Sequence, residues 1–255
     1  MKKLFYLVLF YSFFNNKYAF ASSTFYGDQG IINTPSAYVL NDRNIDISFG
    51  SLSDKVSYIY NKHNLLYTMG LGFLPRTELG ISFNQIFTGV VDGDNPYLKN
   101  SSFDRSIFLK FQILEESEYI PAFAIGGRDI FSNAFINRDV RAEDRKNDVS
   151  SWQQIFYLAF GKKVYDFNMN IGYSYAPGVP FGFAASRTEG SFRISGFFAN
   201  IETPKLYSLV SGMFEFDSNR INYGVNFGPF YGFSAKAVMI DLTNFNIKTS
   251  WSTRL

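Results

Sequence analysis

Cysteine is absent from the 255-residue chain. That excludes a disulfide framework, thiolate metal sites and a lipidated N-terminal cysteine. Long apolar runs are missing as well. Beyond the N-terminus no stretch approaches 18 uninterrupted apolar residues, so no membrane-crossing helix is predicted. Charge is sparse, at 18% of residues. The one apolar block opens the chain, with Lys2 and Lys3 as a positive flank, Leu4 to Phe14 as a core, and Ala19-Phe20-Ala21 supplying small residues for signal peptidase. It is too short to span a bilayer and predicts a secretory signal peptide over residues 1–21. Taking Lys2, Lys3 and Lys17 from the 24 basic residues leaves 21 against 22 acidic ones, a net charge of about −1. Nothing in that balance points to a nucleic-acid partner.

What the chain does have is aromatic side chains. There are 30 Phe and 17 Tyr, yet the mean hydropathy is only −0.06. Apolar and polar positions are therefore finely interleaved. From about residue 43 onward, segments of roughly ten residues alternate with period two. Phe167, Met169, Ile171, Tyr173 and Tyr175 fall on one side, Asn168, Asn170, Gly172 and Ser174 on the other. Ile221, Tyr223, Val225 and Phe227 alternate likewise with Asn222, Gly224, Asn226 and Gly228. A soluble sandwich would shield its outer face with long charged side chains, whereas here the polar set is small and thinly charged. The pattern predicts an all-β fold, a transmembrane antiparallel up-and-down barrel with apolar residues toward lipid and polar ones toward the lumen.

About twelve strands are expected, at 43–52, 57–73, 76–88, 104–114, 119–128, 151–162, 165–175, 190–200, 205–217, 219–228, 230–241 and 244–254. Long links follow the third, fifth and seventh strands, and the links between them are short. Long and short connections thus fall at opposite ends of the strands, as in barrels with short periplasmic turns and long outer loops. An even strand number brings both ends of the barrel to one side. The expected organisation is a signal peptide at 1–21, a periplasmic or lumenal segment at 22–44, and a barrel at 45–255. Ile31 and Ile32 need burial, which places the segment before the first strand in the lumen or across its mouth.

Parity assigns the lumen-lining residues. Glu78 alternates with Leu79, and Lys110 and Gln112 with Leu109, Phe111 and Ile113. Asn168, Asn170, Lys248 and Arg254 follow by the same logic, as does Arg193 between Phe192 and Ile194. Opposite charges on this wall would pair across the interior and fill it, or line a narrow polar path. Other chemistry is thin. His63, the one histidine, has no serine within two residues, and no GxSxG elbow occurs, so no catalytic residue is assigned. Asp92-Gly93-Asp94-Asn95 lacks the further ligands of a calcium loop and reads as a turn. The mixed charges from Arg138 to Asp148 read as a solvated loop that meets lipopolysaccharide or glycan at most. No cofactor and no metal are expected.

Three stretches together resemble one family. They are Gly30-Ile31-Ile32-Asn33-Thr34-Pro35-Ser36-Ala37 with Asn41-Asp42, then Leu74-Pro75-Arg76-Thr77-Glu78-Leu79-Gly80, then Phe103-Asp104-Arg105-Ser106 through Leu114-Glu115-Glu116-Ser117-Glu118-Tyr119-Ile120-Pro121-Ala122 to Gly126-Gly127-Arg128-Asp129-Ile130. Order and spacing are similar to the N-terminal half of the YjbH/GfcD-like outer-membrane proteins. The resemblance implies a barrel associated with exopolysaccharide and capsule production, and a role in secretion or surface assembly of the polymer. It further implies outer-membrane lipid, lipopolysaccharide, polysaccharide and export proteins as partners, with no reaction attached. Members of the family often run longer and hold a second barrel. A small diffusion channel and an outer-membrane lipid-modifying enzyme built on His63 are the competing readings.

Overall fold

A computed structural model of the chain describes residues 22–53, 64–86, 102–130, 154–176 and 194–255. Twelve antiparallel strands form one closed barrel in which each strand pairs with its sequence neighbours and the last returns to the first. They are β1 (Asn44–Leu52), β2 (Asn64–Leu74), β3 (Thr77–Ile86), β4 (Ser102–Leu114), β5 (Ala122–Arg128), β6 (Ile155–Val164), β7 (Phe167–Tyr175), β8 (Gly196–Glu202), β9 (Val210–Phe216), β10 (Ile221–Phe230), β11 (Phe233–Ile240) and β12 (Asn244–Arg254). The seam is a full ladder from Asn44 opposite Arg254 to Ser51 opposite Ile247. Closure removes the open sheet edges that would otherwise carry unpaired N–H and C=O groups.

The turn chemistry explains one end of the barrel. Tyr165 and Asp166 link β6 to β7, and both adopt positive φ, at 49° and 64°. Tyr231 and Gly232, at 52° and 84°, join β10 to β11 in the same way. Two successive left-handed residues make the turn whose twist matches antiparallel strands. Pro75 with Arg76 (φ 67°) closes the β2–β3 hairpin, proline presetting the first position and Arg76 taking the left-handed second one. All these turns lie at the rim that also holds Asn44 and Arg254. The links 87–101, 131–153 and 177–193, which lie outside the described residues, leave from the opposite rim.

Exposure is inverted relative to a soluble protein. Ile47, Phe49, Met69, Phe111, Ile113, Phe156, Phe160, Ile171, Phe214, Tyr223, Ile247 and Trp251 stand outward and exposed. The residues between them, among them Asp46, Ser48, Thr68, Glu78, Asn170, Asn222, Asn226, Asn246 and Lys248, are buried. An apolar outside around a polar inside is stable in hydrocarbon and not in water. At the short-turn rim Tyr119, Tyr165, Tyr207 and Tyr231 are exposed beside Leu74, Phe230 and Phe233, which forms an aromatic girdle. The chain is a transmembrane barrel.

Strand number and parity agree with the sequence reading. The expected start of the second strand, 57–63, lies outside the described residues, which take up that strand at Asn64. The starts of the eighth and ninth strands need correction. The eighth begins at Gly196, where φ is 129°, rather than at 190. The ninth begins at Val210 because 203–209 fold into a turn, with Leu206 N–H donating to Val210 O and Thr203 N–H to Gly212 O. The positions assigned to the signal peptide, and His63, Asp92 to Asn95 and Arg138 to Asp148, also lie outside the described residues.

Candidate functional site: the occupied lumen

The interior of the barrel is occupied by the chain's own segment. Every residue from Ser23 to Ala37 is buried, and Leu40 is buried again before the chain leaves for β1. The segment folds on itself through six backbone bonds. Thr24 N–H donates to Asp28 O, Phe25 N–H to Ile32 O and Ile31 N–H to Thr34 O. Most of its remaining backbone groups need partners in a space without bulk water, and the wall supplies them. Gly27 shows how close the approach is. Its φ is 100°, and a Cβ there would meet Thr68 Cβ at 2.7 Å and Phe108 at 2.9 Å.

Lysines of the wall take carbonyl oxygens. Lys110 Nζ donates to Gln29 O at 2.5 Å and Tyr38 O at 3.0 Å. Lys236 donates to Ile31 O at 2.5 Å and also to Ser23 O. Lys248 reaches Ser23 Oγ at 2.8 Å and Thr24 O. Acids of the wall take N–H groups. Glu78 accepts from Gln29 N–H at 2.8 Å and Leu40 N–H at 3.2 Å. Glu215 accepts the consecutive N–H groups of Ile32, Asn33 and Thr34, the last at 2.8 Å, plus the Thr34 hydroxyl at 2.7 Å. These are charge-assisted bonds, roughly twice as strong as neutral ones. Glu78 and Lys110 are register partners on β3 and β4, with 3.8 Å between Oε2 and Nζ. One neighbouring pair therefore clamps both Gln29 and the 38–40 exit.

A second centre lies on β5 and β6. Arg128 binds Asp28 through Nε at 2.9 Å and Nη2 at 2.8 Å, and Nη2 also donates to Asn33 O at 2.8 Å. Tyr157 donates its hydroxyl to the other Asp28 oxygen at 3.0 Å. Burial by itself would raise the Asp28 carboxyl, but the Arg128 and Lys110 charges and the Thr24 hydroxyl together hold it below its ordinary value. Around this centre the wall is small and apolar. Ala122, Ala124 and Ala159 are buried with Ile155, Phe198 and the segment's Ala37. Toward the long-loop rim the segment's Phe25, Tyr26, Ile31 and Ile32 pack with Leu52, Leu66, Met213, Val238 and Ile240. That apolar layer lies within the interior on the long-loop side.

The sequence-assigned lumen residues fall out as follows. Glu78, Lys110, Asn170 and Lys248 are buried inside, and Asn170 Oδ1 accepts from Ala37 N–H at 3.0 Å. Gln112 and Asn168 are half-buried near the short-turn mouth. Arg254 keeps inward parity opposite Asn44 but ends β12, so its side chain is exposed at the rim instead of lining the lumen. Arg193 lies outside the described residues. Ile194, expected outward, is buried in the interior because β8 has not yet begun there. The charges do not mainly pair across the interior as expected; they bind the segment's backbone. Sequence reasoning missed Lys236, Glu215, Arg128, Tyr157 and Asp28. Lys236 between Ala235 and Ala237, and Glu215 between Phe214 and Phe216, carry the same parity signal that marked Lys110.

The turn 115–118 fastens the exit of the segment. Glu116 accepts the Tyr38 hydroxyl at 2.6 Å and Lys163 N–H at 2.8 Å, while Lys163 Nζ sits 5.4 Å from the Tyr38 ring centre. Beside it, at the short-turn mouth, is a cavity of about 410 Å³. Among the described residues no cluster of His, Asp or Glu is arranged to hold a metal ion.

Comparison with known proteins bears on this arrangement. No curated protein matches the chain. Among solved structures it is similar to the N-terminal β-barrel domain of Pseudomonas aeruginosa OprF, at 9% identity over 84% of this chain and 100% of that one, with a TM-score of 0.28. A superposition so loose adds nothing to the reading of the site. Residues 22–135 match the YjbH family, described as exopolysaccharide biosynthesis protein YbjH. That span holds the lumen segment, Glu78, Lys110, Arg128 and the 115–118 turn, so the YjbH-family resemblance of the first half of this chain takes in much of what plugs the barrel and fastens the plug.

Proposed function

We propose that the protein is an outer-membrane barrel, exported by the Sec route, that supports exopolysaccharide secretion or surface assembly as a stoppered component or partner of export machinery. The observation that carries this reading is the filled lumen. Glu78, Lys110, Glu215, Lys236 and Lys248 each hydrogen-bond one internal segment. A general diffusion channel needs a continuous aqueous path instead. The short-turn rim then faces the periplasm and the long links face outward. The polysaccharide part rests on the family match, and lipopolysaccharide and export proteins are the expected neighbours. No catalytic role is assigned.

Planar-bilayer recording tests the stopper. The intact protein is expected to show no steady conductance, and deletion of residues 23–38 is expected to open a stable one. Steady porin-like current from the intact protein would sink the reading in favour of a diffusion channel. Loss of the gene is expected to lower surface polysaccharide, and an unchanged polysaccharide yield counts against the secretion role.

A further inference from the structure

Beside the bonds of the lumen, a polar space stands open at its mouth. The cavity of about 410 Å³ opens at the short-turn rim, between the exit of the segment and the turns Pro75-Arg76 and 115–118. That size lies within the range of small-molecule sites, roughly 300–1,000 Å³. Nearly every buried lysine and acid of the wall is committed to the segment, whereas several groups around the cavity keep hydrogen-bonding capacity. The Ser22 hydroxyl is buried with no hydrogen-bond partner. The half-buried Gln112 contributes its backbone N–H to Arg76 O, and its side-chain amide makes no bond among the described residues. Asn168 accepts weakly from Asn170 at 3.4 Å and leaves its own NH₂ unspent. Two planar amides and a hydroxyl, donors and acceptors together, suit a ligand that also carries both on every unit.

Charge narrows the class. Around the cavity Arg76 and Lys163 stand against Asp42, Glu115 and Glu202. Arg76 is spent on Glu115 at 2.7 Å, Asp42 lies 3.8 Å from Arg43, and Lys163 leans over the Tyr38 ring. The charges about the cavity are close to balance and largely engaged with one another, and cleavage after Ala21 would add the Ser22 α-ammonium to them. With neither sign prevailing, the unspent amides and hydroxyl set the ligand class, which favours an uncharged polyhydroxylated chain.

We propose that this vestibule, at the periplasmic mouth, is a binding subsite for an uncharged stretch of saccharide chain, held by Gln112, Asn168 and Ser22 next to the Tyr38 exit. The proposal rests on the secretion reading above and adds the ligand class and place to it. Because residues 38–42 form one side of the cavity, a bound chain lies against the stretch through which the stopper leaves the barrel.

The test uses the full chain in an amine-oxide detergent, since a maltoside headgroup would compete. Maltohexaose and cellohexaose serve as neutral probes and hexagalacturonate as the anionic one. Calorimetry is expected to show saturable binding of a neutral probe and weaker binding of the uronate. The double variant Gln112→Ala/Asn168→Ala is expected to lose about tenfold in affinity, the size of two modest hydrogen bonds. The absence of native cysteine allows a second readout that does not depend on that variant. In Gln112→Cys, saturating neutral hexasaccharide is expected to slow maleimide labelling at least tenfold. No saturable binding of either neutral probe, preference for the uronate, or labelling indifferent to sugar overturns the proposal. The two readings fail separately. Unchanged polysaccharide yield on gene loss removes the secretion role whatever the calorimeter reads, and lost yield with no sugar binding removes only the subsite.

Discussion

The two sides of the barrel hold the same segment by different means. On β1 to β4 and β9 to β12 the inward positions are Asp46, Glu78, Lys110, Glu215, Lys236 and Lys248, and the segment is held by charge. On β5 to β8 they are mostly Ala122, Ala124, Ala159, Gly161 and Gly172, and the segment is held by room. The charged exception on the second side, Arg128, converges with Tyr157 on Asp28, the segment's own buried acid. The bonds that β7 and β8 make to the segment are neutral: Asn170 Oδ1 accepts from Ala37 N–H, and Asn200 Nδ2 donates to Thr34 Oγ1. One side holds the segment with ions, the other with small residues and neutral amides.

That contrast can be broken from either side. Lys110→Met removes the charge that faces Glu78 and strips Gln29 O and Tyr38 O of their donor. An unpaired buried charge costs about 3–5 kcal/mol, so a clear drop in the denaturation midpoint by heat-modifiable gel migration is expected. Glu78→Gln/Lys110→Met together should be milder than Lys110→Met alone. If the double variant is the worse of the two, the pair does not act as one clamp. Tyr157→Phe removes one bond to a buried carboxylate, a loss of about 1.5–3 kcal/mol measurable in the same gels. Gly161→Ala probes the roomy side. Its Cβ would stand 2.5 Å from Asn170 Oδ1, the acceptor of Ala37 N–H, and 3.0 Å from both Ala37 and Tyr38. Overpacking of this kind costs about 1–3 kcal/mol.

The smallest expected effect is one of pH. The Asp28 carboxyl is held below its ordinary value in the folded barrel. Its contribution is therefore complete above the unfolded value of about 3.8 and is lost as pH falls through the lower folded value. Protease protection of residues 22–40 should hold through mildly acid pH and weaken only in strong acid. Weakening already near neutrality would show that another group controls the segment.

The wall was far more legible in the sequence than its contents. Alternation such as Phe167 to Tyr175 writes strand, face and solvent into every second residue, and the distribution of short and long links gave the two rims. Burial of the early segment followed from Ile31 and Ile32 having no outward place. What the lysines bind could not be read. Lys110 meets backbone oxygens of Gln29 and Tyr38, and every residue type carries a carbonyl, so no side-chain pattern marks the partner. Glu215 and its three N–H donors are hidden for the same reason. Arg254 shows the converse limit, since parity gives a face but not where along the barrel that face is still enclosed.

The seam has a consequence for assembly. Ser23 and Thr24 are bonded to Lys236 and Lys248, more than 210 positions later in sequence. Contacts of such separation form late, because a very long loop must close before any of them rewards the chain. The β1–β12 ladder is then expected to close around an interior that already contains the segment. The earliest part of the barrel's chain thus acts as a mandrel for its latest, and a partly inserted sheet with an empty interior would display unpaired lysines and acids to the bilayer. Closure of the ring and seating of the segment are expected to be one event in time.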